Sequence, residues 1–201
     1  MADTLRERLL ESATLASPEE SELFFEKSGG ADSRYWGETL KGGDSPTGQP
    51  IIHINRKKFQ RHLGQKELTP DQEQTIRLGE SLHNLREVDP EAYNSLFRSA
   101  MSNPDFVRWV KDSYENVAVP GGEERSFDDW LRTSRFDQII GGWLFAGDPA
   151  YPSLKNWPKW HSGYRGGFGK QLEGLRKRLR LPSRTHSRAN FVDRPLYNRA
   201  E

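Results

Sequence analysis

Four places in the chain put a small polar residue directly before a proline: Ser17-Pro18, Thr69-Pro70, Asp89-Pro90 and Asn103-Pro104. The side-chain oxygen can accept a free backbone N–H of a helix's first turn. Proline at the first helical position lacks an N–H that would have had no partner anyway. Glu20 and Gln72 stand three residues after Ser17 and Thr69 and complete capping boxes, and Thr4 with Glu7 repeats the pattern near the N-terminus. Each of these positions is read as a helix start.

Apolar spacing says which faces the helices bury. Leu5, Leu9 and Leu10 form a stripe in the first helix, and Leu23, Phe24 and Phe25 close the second. Ile76, Gly79, Leu82 and Leu85 trace one face after Thr69. Tyr93, Leu96, Phe97, Ala100 and Met101 do so after Asp89, and Phe106, Val110 and Tyr114 after Asn103. Short connections at 86–89 and 102–103 imply consecutive helices packed side by side. A last helix over about 167–180 carries Phe168, Leu172, Leu175 and Leu179 on one face. "NRKKFQRHLG" reads as a short helix stopped by Gly64, while "IIHI" at 51–54 is too short to separate strand from extended chain.

The fold class expected is mainly α, a small irregular helical bundle with extended arms and little or no sheet. Four regions follow: acidic N-terminal helices over 1–27, a Gly-rich arm and short helix over 28–66, a helical core over 67–181, and a basic tail over 182–201. Between 28 and 50 the composition shifts to Gly, Ser, Pro and Thr around an isolated "RYWGETL", in which Tyr35 and Trp36 are the candidate anchors. After Gly147, Pro149, Pro152 and Pro158 forbid a regular helix, and Trp157 and Trp160 are further anchors.

Only 33% of the 201 residues are hydrophobic, yet there are 6 Trp, 10 Phe and 6 Tyr, so a modest aromatic core with much polar chain outside it is expected. Chains of this kind gain missing burial from partners. The absence of cysteine removes disulfides and thiolate zinc sites. "MADTLRERLLESATL" lacks the apolar core of a signal peptide, and no stretch approaches the roughly 20 apolar residues of a membrane-spanning helix. Charge is unevenly placed. Residues 1–50 hold 5 Lys/Arg against 10 Asp/Glu, 51–150 hold 13 against 16, and 151–201 hold 12 against 3. An acidic front and a basic rear can pair head to tail, within one molecule or between copies.

Candidate chemistry is thin. Gly141-Gly142 interrupts the apolar "FDQIIGGWLFAGD", where close approach of a neighbouring helix explains glycine better than a phosphate loop does. Ser126 with Asp129 is a first-turn cap rather than part of a carboxylate pair. Glu80 and His83 form a single Glu-x-x-His, which occurs twice in di-iron bundles, so a hydrogen-bonded histidine beside the core is the reading preferred to a metal site. No catalytic residue, metal site or cofactor is nominated, and the chain is not expected to be an enzyme.

The rear is more suggestive. Arg176, Lys177, Arg178, Arg180, Arg184 and Arg188 form a run that can neutralise phosphates, show a solvated basic face, or dock on an acidic protein neighbour. Phe191, Leu196 and Tyr197 favour docking, because isolated apolar residues on an arm are what pockets capture. Phe191 and Tyr197 are accordingly counted among the anchors.

The segment "FDDWLRTSRFDQIIGGWLFAGD…NWPKW…FGKQLEGLRKRLRL" resembles helical segments of large internal virion or polyvalent proteins of tailed bacteriophages. In those, an "RFDQ-I-GYLF" helix leads through a Trp-containing loop to a final amphipathic helix. The matching residues are Arg135, Phe136, Asp137, Gln138, Ile140, Gly142, Leu144, Phe145, Trp157, Leu172, Leu175, Arg176 and Leu179, and the likeness covers about 79–181. This chain departs from it by running on into a basic tail. The resemblance implies a virion setting, host cytoplasm during assembly and then the particle, and carries over no catalytic residue. The expected partners are other virion proteins and copies of the chain itself. The alternatives are nucleic-acid binding through the basic C-terminal region, with DNA as the ligand, or a virion-associated hydrolase.

Overall fold

The structure, a computed structural model, describes residues 4–32, 37–40, 48–145 and 167–181. It is mainly α-helical with one small sheet. Every helix start read from a cap is present. Thr4, Ser17 and Thr69 close complete capping boxes ahead of α1 (Leu5–Glu11), α2 (Pro18–Glu26) and α4 (Pro70–Ser81). Asp89 and Asn103 cap α6 (Pro90–Met101) and α7 (Pro104–Ser113) through their side-chain oxygens. Between these lie α3 (Arg56–Leu63), ended by Gly64 in the left-handed region at φ 66°, and the single turn α5 (Leu85–Val88).

The chain divides into two compact units at Val88 and Asp89, inside the stretch 67–181 that the sequence presents as one helical core. In the first unit, the strands β1 (Thr14–Leu15), β2 (Gly37–Leu40) and β3 (Ile51–Ile54) form a sheet in the order β1-β3-β2. β1 runs parallel to β3 and β2 antiparallel, with Glu38 opposite His53 and Gly37 opposite Ile54. Residues 37–40, read from sequence as part of an arm, are therefore a strand. Ala13, Ile52, Ile54, Phe59 and Ile76 form the core beneath the sheet. Long polar side chains tie the helices together: Arg77 donates to the Leu10 carbonyl at 2.7 Å, Arg8 to that of Val88 at 3.1 Å, and Asn84 to Ser12 Oγ at 3.0 Å.

The second unit is held by aromatic rings. It contains α6, α7, α8 (Phe127–Trp130), α9 (Phe136–Leu144) and α10 (Gly167–Arg178). Phe136, fully buried, is met edge-on by Phe97 at 5.0 Å, Tyr93 at 5.5 Å and Phe106 at 6.3 Å, while Phe168 lies tilted at 6.2 Å. Edge-to-face pairs of this kind add about 0.5–1.5 kcal/mol each beyond the area they bury. The Tyr93 hydroxyl donates to the Arg132 carbonyl at 2.8 Å, and the Arg132 guanidinium lies 3.7 Å from the centre of the Phe97 ring. Two π-helical turns, Tyr114–Ala118 and Leu131–Arg135, flank the 119–126 turn. That turn is pinned by Tyr114 Oη donating to the Arg125 carbonyl and by the Arg125 guanidinium, which holds both oxygens of Glu123 and reaches Thr133 Oγ1 at 3.0 Å. Arg125 keeps the Glu123 carboxyl down at about 2.

Candidate interaction surfaces

The anchors Tyr35, Trp36, Trp157, Trp160, Phe191 and Tyr197 lie outside the described residues, as do Arg184 and Arg188. The remaining four basic candidates sit at the end of α10. Phe168, Leu172, Leu175 and Leu179 are all buried, as their spacing required, and this fixes where the charged side chains go. Arg176 donates to the Leu144 carbonyl at the end of α9, where a cation satisfies a bare helix-end oxygen and complements the dipole. Arg178 pairs with Asp89, whose other oxygen accepts the Ala92 N–H of the α6 cap. One carboxylate thus starts a helix and holds the end of another.

What α10 leaves to solvent is of mixed sign. Lys170, Glu173 and Lys177 follow one another along the exposed face. Arg180 is also exposed and stands in the left-handed region at φ 54°. The Arg180 N–H bonds the Lys177 carbonyl at 3.0 Å and the Leu181 N–H that of Arg176 at 3.2 Å, the arrangement that usually closes a helix around glycine.

The acidic front is arranged differently. α2 carries Glu19, Glu20, Glu22 and Glu26 and no Lys or Arg. Ser21 and Phe25 are buried, and the Phe24 ring stacks on His53 at 4.3 Å and 10°. That orientation turns Glu19, Glu22, Leu23 and Glu26 outward, spaced i, i+3, i+4, i+7 on one face. Leu23 is 63% exposed. Glu22 pairs with Lys57 and Glu20 returns to the Ser17 N–H at 2.8 Å. Glu19 and Glu26 make no hydrogen bond or ion pair among the described residues.

Two titratable groups in the first unit went unmarked in the sequence as functional. His53 is 8% exposed, and its Nδ1 has no hydrogen-bond partner among the described residues. Burial holds its pKa below the usual imidazole value, against the pull of Glu20. Glu80 is half-buried, its side chain 13% exposed and its carboxyl over Gly37. A Cβ there would come within 2.5 Å of Oε1, so any larger residue makes the end of the Glu80 side chain move. Burial first, then the charge of Glu38, raises the Glu80 carboxyl to about 7, while Thr39 pulls it down. His83 Nε2 lies 3.8 Å from a Glu80 oxygen, beyond hydrogen-bond reach, so the two residues of this Glu-x-x-His are close but not hydrogen-bonded to each other. Among the described residues no group of three or more His, Cys, Asp or Glu is placed to hold a metal ion, and no helix is long and apolar enough to cross a membrane.

Fold and surfaces together define a mainly α-helical protein of two compact units, with an acidic apolar-bearing helix in one and an inward-tied basic helix in the other. Compared with known proteins, the chain matches no family model, no curated sequence and no solved structure.

Proposed function

We propose that the chain is a non-enzymatic structural protein of a tailed-phage virion, working by occupying an interface between neighbouring subunits. The observation that carries the reading is Leu23, 63% exposed on a helix face whose other positions are glutamates. Covering such a side chain returns about 1.5–3 kcal/mol, which an isolated chain forgoes and an assembled one recovers. The phage resemblance supports the setting. Of the residues that carry it, Phe136, Ile140, Gly142, Leu144, Phe145, Leu172, Leu175 and Leu179 are buried in the second unit, so much of the shared pattern is packing. Partners on this reading are other virion proteins and copies of the chain, met in the host cytoplasm and retained in the particle, with no cofactor. Quantitative mass spectrometry of density-purified, DNA-filled particles is the test. A fixed copy number in simple ratio to a ring or shell protein is expected, and absence from the particle overturns the reading.

Nucleic-acid binding is the second reading, and Arg180 favours it. An arginine held where glycine fits better, exposed beside Lys177, suits a contact to an anion. Against it, Arg176 and Arg178 already have partners within the fold. Affinity for DNA that falls steeply with salt and survives deletion of 28–50 would carry this reading instead.

A further inference from the structure

We propose that β2 is a proton-controlled latch: it stays paired with β3 while the Glu80 carboxyl beneath it holds a proton, and opens from β3 more readily once that carboxyl ionises. Among the described residues β2 is an edge strand, joined on one side to β3 by four residue pairs from Gly37–Ile54 to Leu40–Ile51. Residues two apart on a strand share a face, so Gly37 and Thr39 both lie on the α4 side. Both meet Glu80 there. The carboxyl sits against Gly37, and the Thr39 hydroxyl donates to the Glu80 carbonyl at 3.4 Å. With the Glu80 side chain 13% exposed, β2 is part of what keeps its carboxyl from water.

The charges around Glu80 come from four sides. Glu38, on β2 itself, is a like charge that acts on it. From β3 the residues opposite Gly37 and Thr39 are the apolar Ile54 and Ile52, while His53 stands opposite Glu38 and stacks on Phe24. Along α4, Arg77 donates to the Leu10 carbonyl and Glu73 pairs with Arg56. α1, also packed on α4, carries Arg6, Glu7, Arg8 and Glu11, with Glu7 held in the Thr4 cap and Arg8 on the Val88 carbonyl. His83 Nε2, 3.8 Å from a Glu80 oxygen, offsets the charge only while it is itself protonated. Burial first, and then Glu38, raise the carboxyl to about 7, against the pull of Thr39. Opening β2 returns it to water and towards its ordinary 4.5. Since the closed value is the higher, the proton's support of the closed strand is complete below about pH 4.5 and is lost as pH rises through about 7. An open β2 leaves unpaired backbone groups along one edge of β3, where a further strand can add.

The test is amide hydrogen exchange of the full chain, followed by NMR from pH 5 to pH 8 and expressed as protection relative to the unstructured rate at each pH. Protection at 37–40 should fall about tenfold per pH unit up to about pH 7 and level off above it, as for one released proton. At every pH the amides of Ile76–Leu78 should stay about tenfold or more better protected, because the strand opens without unfolding the unit around it. Glu80→Gln should remove most of the fall, and Gly37→Ala, which moves the carboxyl, should make it shallower. Level protection at 37–40 in the parent, an equal fall in Glu80→Gln, or protection at 37–40 that matches 76–78 throughout would each overturn the proposal. Should Glu80→Gln not fold, the Gly37→Ala slope decides, and a slope equal to the parent's overturns it.

Discussion

Helices α2 and α10 both alternate apolar and charged positions, and they use their charges in opposite ways. On α10 the leucine stripe is fully enclosed, and two of its arginines turn back to fill roles inside the second unit, one on a helix-end carbonyl and one on a capping aspartate. On α2 only Phe25 of the apolar run Leu23-Phe24-Phe25 is fully buried. Leu23 faces water, Glu19 beside it has no partner among the described residues, and Lys57 acts on Glu26 by charge alone. The basic helix, which by composition is the obvious candidate for a partner, commits Arg176 and Arg178 to its own fold and leaves Lys170 and Lys177 exposed. The acidic helix is the one that leaves a leucine exposed among its charges. A charge run is thus a poor guide to a binding face until the partners of each charge are known.

Six substitutions test the two helices and the two units that carry them. Leu172→Ala should have the largest effect, about 2–5 kcal/mol lost in urea unfolding, because the side chain is wholly enclosed on α10. Next comes the carboxyl inside the first unit. Glu80 titrates near 7 in the folded chain against 4.5 ordinarily, so the folded state holds an extra proton between those values. Its stabilising contribution is complete below about pH 4.5 and is lost as pH rises through about 7, by no more than about 3 kcal/mol. Unfolding of the parent and of Glu80→Gln across pH 4–8 should differ by that slope, and the difference removes the opposing contribution of His53. Gly37→Ala, which pushes the carboxyl away, should flatten the same slope.

Smaller effects follow on the two helices. Arg180→Gly should stabilise by up to about 1 kcal/mol by relieving the left-handed backbone, seen as a higher midpoint in thermal unfolding. Arg178→Ala should destabilise by about 1 kcal/mol or less, since its side chain is 47% exposed and the pair is screened. Leu23→Ala should change monomer stability by less than about 0.5 kcal/mol, the smallest effect of all. If Leu23→Ala cost as much as Leu172→Ala, the contrast between the helices would be wrong.

Much of the fold was legible because its signals are local. Caps and prolines act within one turn, so the starts of α1, α2, α4, α6 and α7 could be read directly, and the α10 stripe at 168, 172, 175 and 179 needed only periodicity. What was not legible depends on distant residues. Arg176 and Arg178 find partners 32 and 89 positions away, and nothing near them in sequence announces Leu144 or Asp89. The strand at 37–40 is defined by pairing with 51–54, and a glycine-rich approach hides it. The raised Glu80 carboxyl depends on that same strand, since Gly37 and Glu38 are what it meets. For α2, three successive apolar residues could not tell which would face outward, and the answer came from the His53 ring against Phe24.

The most direct test of the central claim is carbodiimide footprinting of Glu19 and Glu26, read by mass spectrometry in the isolated chain and in purified particles. The account expects both carboxylates to react readily in the isolated chain and to be protected several-fold in the particle, with the exposed carboxylates of α10 and the 119–126 turn as internal references. Equal reactivity in the two states, or no copy of the chain in the particle to label, would contradict it.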